Sequence, residues 1–132
     1  MEKLELDSRR WKLVLFHHKK LMAEQGKNEY SAWIVKTWRD NYDIALETFT
    51  MGDRMKSTVP LRNAPGTVAI FHYHSLQCVA EVDKDCPLLQ ITRDDLRCAG
   101  SLDMPMVIGG RDGIMVFYGD KRVACFCFGI LG

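Results

Sequence analysis

Between Met106 and Phe128, three short apolar segments are punctuated by paired turn residues: Met106 to Ile108, Ile114 to Tyr118 and Val123 to Phe128, with Gly109-Gly110, Asp112-Gly113 and Gly119-Asp120 between them. Glycine and aspartate supply the backbone conformations that reverse a strand within a few residues, so this part of the chain predicts a β-meander.

Upstream the pattern changes period. From Asp7 or Ser8 as N-cap, Trp11, Val14, Leu15, Leu21 and Met22 recur at near-helical spacing until Gly26, which predicts one amphipathic helix over 8–25. Tyr30 to Trp38 and Tyr42 to Met51 are rich in β-branched and aromatic residues and are separated by Arg39-Asp40-Asn41, the composition of a β-hairpin. After the two prolines and the glycine of Pro60 to Gly66, Thr67 to His74 reads as a largely buried strand ending in two histidines. Ser75 to Gln90 is less regular, and Thr92 followed three residues later by Asp95 reads as the start of a short helix to about Ala99. The chain has no internal repeat, low-complexity stretch or long linker, so residues 1–132 read as one α/β domain.

The 18 basic and 17 acidic residues leave a formal charge of +1, which gives no overall attraction to nucleic acid or to an anionic membrane. Cys78, Cys86, Cys98, Cys125 and Cys127 are odd in number and contain no C-x-x-C pair, which argues against a disulfide framework. With no signal-peptide pattern and no long apolar run, the expectation is a reduced, cytoplasmic protein.

The chemistry centres on His72-Tyr73-His74. Side chains two apart on a strand share a face, so both imidazoles can aim at one cation. A catalytic zinc commonly takes three protein ligands and leaves one position for water, so a third ligand is required. His17 and His18, adjacent on the first helix, point in different directions and read as surface or helix-end residues. Cys125-Phe126-Cys127 shares the H-x-H spacing, but it lies within the apolar run Val123 to Leu131 and reads as core. Cys78 and Cys86 read as small buried hydrophobes.

The His72-Tyr73-His74 pair, followed by Thr92-Arg93-Asp94-Asp95 and preceded by Glu29 at the first strand, resembles the metalloprotease motif of the JAB/MPN (JAMM) family. The opening helix, the hairpin, Val68 to Phe71 before the histidines and Met106 to Tyr118 after the short helix occur in the same order, so the resemblance spans about residues 8 to 128. It implies an MPN/JAB-like, cytidine-deaminase-like sandwich: a mixed, curved sheet with the long helix on one face, the short helix on another and the metal at a sheet edge. His72, His74 and Asp95 are then the ligands of Zn2+, Glu29 the general base and Thr92 the hydroxyl where the family has serine. Asp83, Asp85 and Asp94 compete with Asp95, because residues 75–91 read as an insertion relative to the family spacing. Ser75 replaces the proline usual after the second histidine, and Ser31 and Ala32 stand where the family often has glycine.

By the same resemblance the substrate is a ubiquitin-like protein or its conjugate, cleaved after the C-terminal tail, with neither nucleic acid nor membrane as partner. The compact chain is similar to stand-alone prokaryotic members of the family. Two other readings are a metal-free MPN-like scaffold that binds a protein partner and a RadC-like, DNA-associated protein. The second lacks support in the loop after His74 and in a net charge near zero.

Overall fold

The computed structural model describes residues 3–25, 30–51, 65–73, 103–119 and 121–132. Asp7 caps the first helical turn, its carboxylate accepting a hydrogen bond from the Arg9 amide at 3.1 Å. That turn, Ser8–Trp11, is 3-10 in form and runs directly into helix α1, Lys12–Gln25. Together they fill the predicted helical span. The stripe Trp11, Val14, Leu15, Leu21 is buried, while Leu13 and Phe16 on the other side remain partly exposed.

Among the described residues six strands follow: β1 Tyr30–Lys36, β2 Tyr42–Met51, β3 Thr67–Tyr73, β4 Met106–Gly109, β5 Gly113–Tyr118 and β6 Lys121–Cys127. They form one mixed sheet in the order β2-β1-β3-β4-β5-β6, antiparallel throughout except for the parallel pair β3/β4. A last 3-10 turn covers Phe128–Leu131. The expected hairpin is present, with Asp40 in the left-handed region (φ 61°) and the Thr37 amide donating to the Asn41 carbonyl at 2.7 Å. The expected meander is β4, β5 and β6. The short helix predicted from Thr92 lies outside the described residues.

Strand alternation sorts the buried side chains into two clusters. Tyr30, Ala32, Ile34, Ala69, Phe71, Tyr73, Val107, Ile114, Val116 and Phe126 pack under α1 with Trp11, Val14 and Leu15. Trp33, Ala45, Ile70, Met106, Ile108 and Phe117 form the second cluster on the opposite face. A bulge between Ser31 and Trp33 is stitched by Thr48, whose hydroxyl accepts from the Trp33 amide at 3.0 Å and donates to the Ala45 carbonyl at 2.6 Å.

The segment before the helix is tied down by phenols rather than by strand pairing. The Leu4 amide donates to the Tyr118 hydroxyl and the Glu5 amide to the Tyr42 hydroxyl, each at 2.8 Å, and the Trp11 indole donates to the Glu5 carbonyl at 2.8 Å. These bonds fix where α1 begins over the sheet. None of the helices among the described residues is long and apolar enough to cross a membrane.

Candidate metal centre

His72 sits one residue before the end of β3, a strand flanked by β1 on one side and β4 on the other. His72 therefore belongs to the end of an interior strand. His72 pairs with Ser31 on β1 and with Ile108 on β4. Its neighbours Phe71 and Tyr73 point into the core beneath α1, so alternation sends the imidazole to the opposite face.

There His72 is 8% exposed and its Nδ1 lies 2.9 Å from the Ser31 hydroxyl oxygen, itself on a side chain only 1% exposed. A buried imidazole held through Nδ1 is oriented, and its Nε2 is the atom through which it would meet a cation. A metal-ligating histidine usually has its second nitrogen engaged by a protein group in this way. His72 is one imidazole of the borderline kind that zinc takes, and the histidine and aspartate predicted to join it are donors of the same class.

The remaining predicted site residues, Glu29, His74, Thr92 and Asp95, lie outside the described residues, as do Asp83, Asp85, Asp94, Cys78 and Cys86. Among the described residues no group of three or more histidine, cysteine, aspartate or glutamate side chains could hold a metal. On the same face as His72, the indole N–H of Trp33 is buried and has no hydrogen-bond partner among the described residues.

The first helix holds a polar cluster that sequence reasoning missed. His18 is fully buried, which corrects its reading as a surface or helix-end residue. Its Nε2 lies 2.8 Å from the Gly110 carbonyl, and its Nδ1 2.6 Å from the Tyr30 hydroxyl. A carbonyl only accepts, so Nε2 carries the proton and Nδ1 accepts from the phenol. Burial pulls the imidazole pKa down to about 4, against a smaller opposing effect of the Gly110 carbonyl, so the ring is neutral near pH 7. Burial likewise pushes the Tyr30 hydroxyl up, aided by the neighbouring Tyr73.

Phe71, Tyr73 and Phe128 surround the imidazole at 5.3 to 5.5 Å between ring centres. Space for it depends on Gly109, where an added Cβ would lie 2.6 Å from His18 Cε1 and 2.7 Å from Phe71 Cζ. The signal was present in the sequence, because position 18 follows Val14 by four and Trp11 by seven and so falls on the buried stripe. His17 is partly buried and its Nδ1 meets the Asp43 carboxylate at 2.6 Å. Both helix histidines thus serve to dock α1.

Cys125 and Cys127 are free and exposed, which corrects the expectation that the Cys125-Phe126-Cys127 pattern is core. Only Phe126 is buried. No protein-family model, no curated protein and no solved structure matches this chain.

Proposed function

We propose that the chain is a zinc-dependent hydrolase with an MPN/JAB-like fold, acting on a peptide or isopeptide bond after the tail of a ubiquitin-like protein. The observation that carries the reading is the buried His72 at the end of β3, held through Nδ1 by Ser31. Support also comes from the parallel β3/β4 pair, since parallel strands need a crossover connection, which here leaves from the strand end that bears His72. Ligand sites in sheets with parallel strands commonly lie outside the carboxyl ends of those strands.

The residues in this reading divide into holders and actors. His72, His74 and Asp95 would hold the cation, two imidazoles and a carboxylate being a suitable set. When bound, zinc would lower the pKa of a coordinated water towards about 7. Glu29 would take the proton of that water and deliver it to the departing amine. Thr92 would donate its hydroxyl hydrogen bond to the carbonyl oxygen as negative charge develops there. Glu29 is the chain neighbour of Tyr30 and His74 that of Tyr73, and Tyr30 and Tyr73 are register partners stacked at 4.8 Å.

Two measurements test the reading. The purified protein is expected to carry about one zinc per chain, lost in His72→Ala and in His74→Ala, as a three-ligand site requires. Fusions of candidate ubiquitin-like proteins are expected to be cleaved by the unaltered chain and spared by Glu29→Gln, which should keep its zinc. A folded protein that takes up no zinc would overturn the metal site and favour a scaffold role, and equal cleavage by Glu29→Gln would remove the proposed base.

A further inference from the structure

The outer face of the β5/β6 pair carries a group of sulfur atoms separate from the His72 site. Phe126 points into the core under α1, so the alternation of β6 sends Cys125 and Cys127 together to the opposite face. Met115 is the register partner of Cys125 on β5 and projects to the same side. The close approach of β6 at this point depends on Gly113, where a Cβ would lie 2.9 Å from the Cys127 Cα.

One row of register partners, Ser31, His72, Ile108, Met115 and Cys125, runs across this face. Three strand spacings separate His72 from Cys125, about 14 Å at the usual interval, so the two sites do not share ligands.

We propose that Cys125, Cys127 and Met115 form a binding site for a soft monovalent cation, Cu(I), through two thiolates and one thioether. Thiolate and thioether donors select Cu(I) over harder ions. Zinc would want a fourth firm ligand and stronger donors than a thioether. Uptake of one Cu(I) releases the two thiol protons and leaves the dithiolate complex with one net negative charge, and no electron is transferred. Arg122, whose Nη1 lies 3.9 Å from Met115 Sδ, supplies a compensating positive charge.

Burial and the neighbouring Cys127 push the Cys125 thiol up, while Arg122 acts the other way. A disulfide between Cys125 and Cys127 is disfavoured, because residues two apart on an extended strand have Cα atoms about 6.7 Å apart, at the far limit for such a bond.

Titrating Cu(I) anaerobically against a chromogenic Cu(I) chelator tests the site. In the full chain carrying Cys78→Ser, Cys86→Ser and Cys98→Ser, one Cu(I) per chain is expected. Adding Cys125→Ser or Cys127→Ser should weaken binding about 100-fold or more, and Met115→Leu about ten-fold, following the order of ligand strength. As a safeguard against misfolding of the triple variant, the otherwise unaltered chain should lose one Cu(I) equivalent when both Cys125 and Cys127 become serine. Unchanged uptake after that double substitution, or one Cu(I) shared by two chains, would overturn the proposal.

Discussion

The two faces of the sheet bury polar groups in opposite ways. Beneath α1, His18 has both ring nitrogens bonded to protein groups, Tyr30 and the Gly110 carbonyl, and is enclosed by aromatic rings. On the other face, Ser31 and His72 lie next to an apolar cluster whose Trp33 indole N–H has no partner among the described residues. A satisfied buried imidazole fastens layers together and does little chemistry, because its protons are committed and its charged form is excluded. The face away from the helix carries His72 on β3 and Cys125 and Cys127 on β6.

The largest expected effect comes from breaking the helix side. His18→Leu keeps the volume apolar but removes the Nδ1 acceptor of the Tyr30 hydroxyl and the Nε2 donor to the Gly110 carbonyl, and should cost about 3 to 4 kcal/mol in chemical denaturation. A loss below about 1 kcal/mol would mean that these bonds do not hold the helix in place.

Acidification should reach nearly as far. Because the folded pKa of His18, about 4, lies below its unfolded value of 6.5, the unfolded chain binds the extra proton between those limits. Stability from this residue is complete above pH 6.5 and falls as pH drops towards 4, by about 3 kcal/mol. Denaturation followed across that range should lose this slope in His18→Leu, and an identical slope in both proteins would refute the assignment.

A smaller effect is expected on the opposite face. Trp33→Phe removes ring volume but also removes the unpaired N–H, so the two contributions oppose and the net loss should be about 1 kcal/mol. If the thermal shift of this variant exceeded that of His18→Leu, the contrast between the faces would fail.

Local structure was legible in the chain because it is written in short periods. The stripe from Trp11 to Leu21, the Arg39-Asp40-Asn41 reversal and the glycine-punctuated meander all carry their own signal. The strand order was not legible, since nothing local states that β4 will lie parallel to β3 while every other pair is antiparallel. His72 could be placed from alternation alone. His18 reads as a surface or helix-end residue because it stands beside His17 on the helix, although its spacing from Trp11 and Val14 assigns it to the buried side. The cysteines of β6 were read as core because the run around them is apolar, yet a strand at the end of a sheet buries only what its neighbour and the helix cover.

Gly109 has a mechanical consequence. With no side chain there, the imidazole of the helix rests almost directly on the backbone of β4, so a single hydrogen atom acts as the shim between two layers. Thickening it by a methyl group would tilt the whole upper layer. The anchors at Leu4 and Glu5, bonded to Tyr118 and Tyr42 on separate strands, would carry that tilt to distant parts of the sheet at once.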